Sequence, residues 1–129
     1  MKIRTGIDIL DIPKFAENLK SEAFIRKVFT LAEVAVCEAT LNSVHCYAAK
    51  FAVKEAFMKA IGQGIRQEVW FTQIEVLVEE SGRISVVASG QAKKGLDMLA
   101  ASQVTVSIAD SDDLVVASVV LGFSAPLAR

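Results

Sequence analysis

Residues 44–64, VHCYAAKFAVKEAFMKAIGQG, decide the fold because they predict one long helix that ends in a glycine loop. At about 100° per residue, the large side chains of this helix form one stripe and its alanines form a second. The stripes consist of Tyr47, Phe51 and Met58, and of Ala48, Ala52, Ala56 and Ala60. A helix on a protein surface has a broad polar face, which this stretch lacks. We therefore expect it to be the central helix of the fold.

Two charged residues, Glu55 and Lys59, occupy the gap between these stripes. They lie four residues apart with the acid first, so their side chains can meet side by side. Charges among apolar neighbours are costly unless something pairs with them. One interpretation is a structural ion pair. The other is a ligand site, in a cleft that the small alanines leave open.

The segments around the central helix predict an α+β fold. The predicted elements, in order, are a strand over 2–11, helices over 14–20, 23–28 and 30–39, the central helix, strands over 72–78 and 84–88, a helix over 90–101, and strands over 104–109 and 114–121. Thr30 and Glu33 match a capping box, and Asn42 or Ser43 is expected to cap the central helix. Two hairpins in sequence favour an antiparallel sheet packed against that helix.

Length and hydropathy predict one domain over residues 1–129. Hydrophobic residues make up 53% of the chain, which is high for this size and predicts that a partner subunit covers part of the surface. No stretch has the roughly 20 apolar residues of a membrane span. The first ten residues lack the apolar core of a signal peptide. We therefore expect a cytoplasmic protein that does not bind membranes.

Charge and cysteine content exclude further classes. Residues 1–66 hold ten Lys and Arg against seven Asp and Glu, whereas residues 67–129 hold four against eight. The first half would suit an acidic partner, but the chain lacks the uniformly basic surface of a nucleic-acid-binding protein. Cys37 and Cys46 are expected to be reduced thiols. The chain has no zinc-ligand spacing, and its one histidine excludes a histidine-rich metal site.

Four stretches together resemble the holo-[acyl-carrier-protein] synthases, a family of small 4′-phosphopantetheinyl transferases. The stretches are GIDILDIPKF, VFTLAE, AAKFAVKEAFMKAIGQGI and VTVSIADSDDLVVASVVL. The third is similar to the family pattern R-F-A-x-K-E-A-x-x-K-A-x-G-T-G-I, and the first to G-x-D-I-V-E-I-x-R. The resemblance covers nearly the whole chain in the family's order.

The resemblance implies transfer of the phosphopantetheine arm of coenzyme A to a serine of apo acyl carrier protein. It also implies a requirement for Mg²⁺ and release of adenosine 3′,5′-bisphosphate. By motif position, Asp8 and Glu55 match the family's two carboxylate metal ligands, and Mg²⁺ commonly takes one or two carboxylates together with waters and substrate phosphates. Glu55, directly or through a metal-bound water, is the implied base for the serine hydroxyl. Lys59 matches the family lysine that stabilises the leaving phosphate.

The resemblance also implies contacts with coenzyme A. Lys50 stands at a family arginine, where a cation fits a phosphate but lysine loses the bidentate fork. Lys54 matches the lysine beside the family glutamate, and both ligand contact and snorkelling to the surface stay open for it. Gly62 and Gly64 follow a helix C-terminus and are therefore no P-loop, but they allow close backbone approach to the ligand. Asp110 is a candidate contact at a position where many members carry a histidine.

Two surfaces are implied for partners. Lys14 stands at the family arginine of the first helix, which docks on the acidic helix of the carrier, and Arg26 is a candidate for the same surface. Ordinary solvated side chains are the alternative for both. Family members form trimers with each coenzyme A cleft between neighbouring subunits, so a homotrimer is expected. The alternatives to this transferase are a non-catalytic coenzyme A- or carrier-binding homologue, a transferase dedicated to a specialised carrier, and a structural oligomer.

Overall fold

A computed structural model of the chain describes residues 2–124. Its elements are β1 (Lys2–Asp11), α1 (Ile12–Ala16), a 3₁₀ turn (Glu17–Lys20), α2 (Glu22–Val28), α3 (Leu31–Glu38), α4 (Ser43–Ile61), α5 (Gln63–Arg66), a 3₁₀ turn (Phe71–Gln73), β2 (Ile74–Val78), β3 (Ile84–Ala88), α6 (Gly90–Met98), β4 (Gln103–Asp110) and β5 (Leu114–Phe123). The prediction of a single domain over 1–129 includes residue 1 and residues 125–129, which lie outside the described residues.

The strands form two antiparallel sheets. One has three strands in the order β1-β5-β4, and the other is the β2-β3 hairpin. In the larger sheet Asp8 lies opposite Ala117 of β5, which in turn lies opposite Ile108 of β4. The predicted α+β class, with an antiparallel sheet against a long helix, is confirmed, although the predicted strands divide between two sheets rather than one.

Helix α4 is the centre of the core, as its sequence predicts. Ala48, Ala52, Ala56 and Ala60 are all buried, and the helix packs across β1 and β5. On another side, Phe51 contacts the rings of Phe15, Phe24 and Phe71. The small stripe therefore lets the helix lie close to the sheet, while the aromatic stripe fills the space under the short helices.

Three interactions or conformations fix the ends of α4. Asn42 caps the start, accepting a hydrogen bond from the backbone N–H of His45 at 3.1 Å. Gly62 ends the helix at φ 92°, a left-handed conformation that favours glycine. The guanidinium of Arg4 donates to the carbonyl oxygens of Ala60 and Ile61 at 2.9 and 3.3 Å, which satisfies two C-terminal carbonyls. The prediction of a glycine loop over residues 62–64 is wrong beyond Gly62, because Gln63 and Gly64 belong to the short helix α5.

Several helix boundaries differ from the predicted ones. The helix predicted over 14–20 is a short helix continued by a 3₁₀ turn, and it begins at Ile12 because Asp11 caps it. The helix predicted over 90–101 ends at Met98. The capping box of Thr30 and Glu33 is confirmed. These differences fall at helix ends, where a single side-chain hydrogen bond decides where the helix begins or stops.

The expectation of reduced thiols is wrong in this structure. Cys37 of α3 and Cys46 of α4 form a disulfide, with their Cα atoms 5.4 Å apart. The short connection between α3 and α4 returns the chain on itself, so residues nine positions apart come within bonding distance. The bond ties the end of α3 to the first turns of the central helix.

Among residues 2–124, no helix is both long and apolar enough to cross a membrane.

Candidate active site

Asp8 is placed on the inner face of the sheet by the alternation of β1. Gly6, Asp8 and Leu10 face the core side, whereas Ile7 and Ile9 point outward and are exposed. A strand's side chains alternate between faces, so one acid among isoleucines is carried towards α4. The Asp8 side chain is only 15% exposed.

Gly6 determines how closely β1 approaches the helix. A Cβ atom on Gly6 would overlap the carbonyl oxygen of Ala56 and lie 2.7 Å from the backbone nitrogen of Ala60. Such contacts are incompatible with any side chain unless the strand moves away. Because Ala56 follows Glu55 and Gly6 precedes Asp8 by two residues, this contact also sets the separation of the two carboxylates.

The ammonium of Lys59 completes a cluster with these acids. It donates to Asp8 Oδ1 and to the carbonyl oxygen of Ile7, both at 3.0 Å. Lys59 therefore forms its ion pair across to Asp8 of β1 rather than along its own helix with Glu55, although its charge still acts on Glu55. At 45% exposure, the Lys59 side chain stays accessible to a ligand.

Glu55 lies close enough to Asp8 for the two charges to interact. Partial burial raises the pKa of Glu55 above its usual 4.5, and the negative charge of Asp8 raises it further. Arg66 and Lys59 act in the opposite direction. Two carboxylates thus share one partly exposed region, with cations beside them. Like charges are brought together in this way where a cation or a transferable proton is to be held.

The donor set of Asp8 and Glu55 fits Mg²⁺. Both residues offer carboxylate oxygens, which this hard cation prefers, and one or two carboxylates suffice when substrate phosphates complete the shell. No group of three or more His, Cys, Asp or Glu side chains that could hold a metal occurs in the described part of the chain. The cluster therefore suits a metal shared with a phosphate-bearing ligand better than a closed, all-protein metal site.

Lys50, a predicted coenzyme A contact, and Lys54 are both buried. Lys54 is fully buried and pairs with Glu33 at 2.8 Å, so the interpretation of Lys54 as a snorkelling side chain is wrong. The Lys50 ammonium donates to the carbonyl oxygen of Val76 at 2.9 Å. Burial lowers the pKa of both lysines. Lys50 lies about 140° around the helix from Glu55, because five residues separate them.

Asp110 is on the opposite flank of α4 from Asp8. It ends β4, the far edge of the sheet, and its Oδ2 lies 3.3 Å from Nε2 of His45 in the first turn of the helix. A cavity of about 480 Å³ beside it is also lined by Arg83 and Ser107. Because β5 lies between β1 and β4, one chain presents the Asp8 cluster and the Asp110 cavity on separate sides.

The predicted carrier-contact residues lie on the surface near the first helices. Lys14 is exposed on α1 and lines a cavity of about 370 Å³ with Asn18. Arg26 is exposed on α2, 3.8 Å from Glu22. Both cations are accessible, as docking would require.

Comparisons with known proteins assign the chain to a family. A family model described as "4'-phosphopantetheinyl transferase superfamily" matches residues 4–117, which include Asp8, Glu55, Lys59 and Asp110. The chain belongs to this superfamily. The predicted family and its transferase class are confirmed.

Individual relatives of this transferase cover nearly all of it. It is 37% identical over 123 residues to the holo-[acyl-carrier-protein] synthase of Koribacter versatilis, which covers 94% of this chain and 98% of the relative. A Bacillus anthracis holo-(acyl-carrier-protein) synthase, solved in complex with CoA (3',5'-ADP), shares 31% identity at a TM-score of 0.78, with 94% and 96% of the two chains covered. The ACPS–CoA complex of Chronobacterium ammoniagenes shares 27% identity at a TM-score of 0.82, with 97% and 100% covered.

Sequence reasoning missed four residues that shape the site of this transferase. Gly6 and Arg4 hold β1 against α4, Glu33 holds Lys54, and His45 pairs with Asp110. Only Gly6 carried a signal, because a glycine inside a strand suggests close approach of another backbone. The other three act through contacts between distant segments, which no local spacing reveals.

Proposed function

We propose that this transferase moves the 4′-phosphopantetheine arm of coenzyme A to a serine of apo acyl carrier protein and releases adenosine 3′,5′-bisphosphate. The observation that carries the proposal is the cluster of Asp8, Glu55 and Lys59 in a chain of this superfamily. The names of the relatives support the reaction, and two of them were solved with coenzyme A or a part of it.

Asp8 and Glu55 are the residues that would hold Mg²⁺. When bound by these two acids, Mg²⁺ would supply positive charge that offsets the negative charge developing on the leaving phosphate. The two acids supply oxygens from a strand and from a packed helix, so their relative position depends on the contact at Gly6. Because the cluster is partly exposed, phosphate oxygens and water would have access to the metal as its other ligands.

The chain's own residues then handle the proton and the leaving group. The serine oxygen attacks the phosphorus that bears the pantetheine arm, and the bond from that phosphorus to the bridging oxygen breaks. Glu55 takes up the serine proton, a role that its raised pKa favours because the best bases titrate nearer the working pH. Lys59, held beside Asp8, donates to the oxygens of the departing bisphosphate.

Coenzyme A contacts are proposed for Lys50, Gly62, Gly64 and Asp110 besides Lys59. A Cβ on Gly64 would meet nothing within 4 Å, so its backbone is open to a ligand. Asp110 lines a cavity large enough for part of a nucleotide. Lys50 can make such a contact only if its ammonium leaves the carbonyl oxygen of Val76.

A homotrimer is part of the proposal. The outer face of the sheet is apolar, with Ile7 and Ile9 exposed by 62% and 64%, and Ile3 exposed beside them. Because the Asp8 cluster and the Asp110 cavity lie on opposite flanks of α4, a second copy would be needed to bring both to one ligand. Light scattering should give the mass of three 13.9 kDa chains. The mass of one chain would contradict this assembly.

For the carrier we propose docking on α1 and α2. Lys14 and Arg26 are exposed cations on these helices, and their charge suits an acidic partner surface. The effect of removing such charges falls mainly on the rate of association and on its salt dependence. A Lys14→Glu variant should therefore lose carrier binding most clearly at low ionic strength.

The proposed location is the cytoplasm, where thiols are generally kept reduced. The Cys37–Cys46 bond makes this point testable. Alkylation of free thiols in freshly lysed cells, followed by mass spectrometry, would show whether the bond is closed there.

The deciding experiment weighs the carrier. Incubation with coenzyme A, Mg²⁺ and an apo carrier should add one phosphopantetheine to the carrier, and EDTA should abolish the gain. Asp8→Asn and Glu55→Gln should each lower turnover about 100-fold or more while the fold persists, and Lys59→Ala should lower turnover with metal binding largely kept. Asp112→Asn, in the exposed β4–β5 turn, is the matched control.

Other results would favour the alternatives. Coenzyme A binding without any mass gain would indicate a non-catalytic binding homologue. A gain seen only with a specialised carrier would indicate a dedicated transferase. Normal turnover in Asp8→Asn or Glu55→Gln would contradict the metal assignment.

A further inference from the structure

A second lysine–carboxylate pair lies one position from the proposed metal ligand. Lys54 directly precedes Glu55 on α4, and its partner is Glu33 of α3. Both side chains are 0% exposed, and their Nζ and Oε1 atoms are 2.8 Å apart. Nothing in the proposed reaction uses this pair, because no substrate reaches it.

The side-chain nitrogen and oxygen atoms of the pair all have hydrogen-bond partners. The Lys54 ammonium also donates to the carbonyl oxygens of Phe71 and Ile74. Glu33 accepts from the backbone N–H groups of Thr30 and Val76, each at 2.8 Å. The pair therefore joins α4 to α3, to the turn before β2 and to β2 itself.

A buried ion pair is an expensive way to stabilise a core, because apolar side chains of similar volume often do so as well or better. Such a pair is directional, however, and adds oriented bonds to the packing of Phe51, whereas the small-residue stripe on the sheet side has no projecting side chains that resist rotation. Side chains reach about 5–6 Å from a helix axis, so a 20° turn would move the Glu55 carboxylate by about 2 Å. A metal site does not tolerate a displacement of that size.

We propose that Glu33 and Lys54 are positioning residues, which fix the rotation of α4 so that Glu55 faces Asp8 across the contact at Gly6. The inference rests on the proposed function, since it concerns the metal ligands named there. Lys54 holds the helix from the β2 side, while Gly6 and Lys59 hold it from the β1 side. Glu55 lies between these two attachments.

The test replaces the pair by a neutral one and measures binding of Mn²⁺ in the presence of a fixed concentration of coenzyme A, with which the metal site is proposed to be shared. The double variant Glu33→Gln/Lys54→Met removes both charges of the pair together, and the side-chain oxygen of the new glutamine can still accept from the backbone N–H of Thr30 or of Val76. We expect a folded protein whose Mn²⁺ affinity, followed by the EPR signal of free Mn²⁺, falls about tenfold. The control is Lys93→Met/Asp97→Asn, which removes an exposed pair on α6 and should leave the affinity unchanged.

Unchanged Mn²⁺ affinity in the folded double variant would overturn the inference. If that variant does not fold, Lys54→Arg decides, because it keeps the charge but not the position of the donor. A weaker affinity for Mn²⁺ in Lys54→Arg supports the inference, and an equal affinity overturns it. Absence of Mn²⁺ binding to the unaltered protein with coenzyme A present would instead overturn the proposed metal site, and the two failures are therefore distinguishable.

Discussion

Helix α4 carries two lysine–carboxylate clusters within about one turn of each other, and they differ in almost every physical respect. Lys54 and Glu33 are fully buried, and all their hydrogen bonds are made within the chain. Lys59 and Asp8 are partly exposed, and Glu55 beside them is held at a raised pKa. We call the first cluster closed, because its hydrogen bonds are all made within the chain. We call the second cluster open, because it has capacity left for a ligand. Saturation of the bonds, rather than the kind of residue, separates a structural pair from a site.

The largest effect is expected when the closed cluster loses one charge. Lys54→Met leaves the Glu33 carboxylate buried without its cation, so the free energy of unfolding should fall by about 3–5 kcal/mol. Lys59→Met removes a partly exposed pair and should cost less than about 1 kcal/mol. Urea unfolding of both variants measures the contrast. Equal losses would show that the two clusters do not differ as described.

Reduction of the disulfide tests the attachment of α3, which carries Glu33 of the closed cluster. The bond closes a loop of about ten residues, so opening it should lower the free energy of unfolding by about 2–3 kcal/mol. Unfolding with and without a reducing agent gives this value, and the Cys37→Ser/Cys46→Ser variant should no longer respond. If reduction also lowered the affinity for Mn²⁺, the position of α3 would affect the metal site more strongly than we expect.

The next largest effect is expected at the contact between β1 and α4, which holds the residues of the open cluster in place. Gly6→Ala introduces a methyl group against the backbone of Ala56, so β1 must move and stability should fall by about 1–3 kcal/mol. Mn²⁺ affinity should fall with it, because Asp8 moves away from Glu55. Gly122→Ala in β5 is the matched control, since its nearest neighbour would lie 3.7 Å away. Equal effects of both substitutions would contradict the role given to Gly6.

The difference between the clusters also explains how far the sequence could predict this structure. Local patterns fixed the central helix, the hairpins and the capping box of Thr30, because each depends on residues a few positions apart. Motif positions supplied Asp8, Glu55 and Lys59 as candidates. Spacing alone nevertheless paired Lys59 with Glu55, whereas the structure pairs it with Asp8 across 51 positions of sequence.

The same limitation applies to the closed cluster and to the cysteines. The sequence left ligand contact and snorkelling open for Lys54, because its partner Glu33 and its acceptor carbonyls come from three separate segments. Cys37 and Cys46 were expected to be reduced, because two cysteines alone make no disulfide framework. Only the turn between α3 and α4 brings them together. The tertiary structure decides which polar groups have all their hydrogen bonds made. A structural ion pair could therefore be distinguished from a ligand site only once the fold was known.

The smallest effect sharpens the description of the open cluster, and it depends on pH. A carboxyl group whose pKa is raised in the folded protein contributes stability below its unfolded value of 4.5, and that contribution is lost as the pH rises through the folded value. At pH 7 the ionised Glu55 therefore destabilises the metal-free protein. Glu55→Gln should raise the melting temperature at pH 7 in EDTA, by a gain of less than about 1 kcal/mol because the group is partly solvated.

This gain should vanish near pH 4, where Glu55 of the unaltered protein is itself protonated. Glu80→Gln, in the exposed turn between β2 and β3, controls for a general effect of charge. Mg²⁺ should reverse the order at pH 7, since a ligand that binds only the folded state stabilises the unaltered protein and not the variant. A lower melting temperature for Glu55→Gln in EDTA would mean that Glu55 is satisfied by Lys59 or Arg66. The open cluster would then be a second structural pair, and the contrast along α4 would disappear.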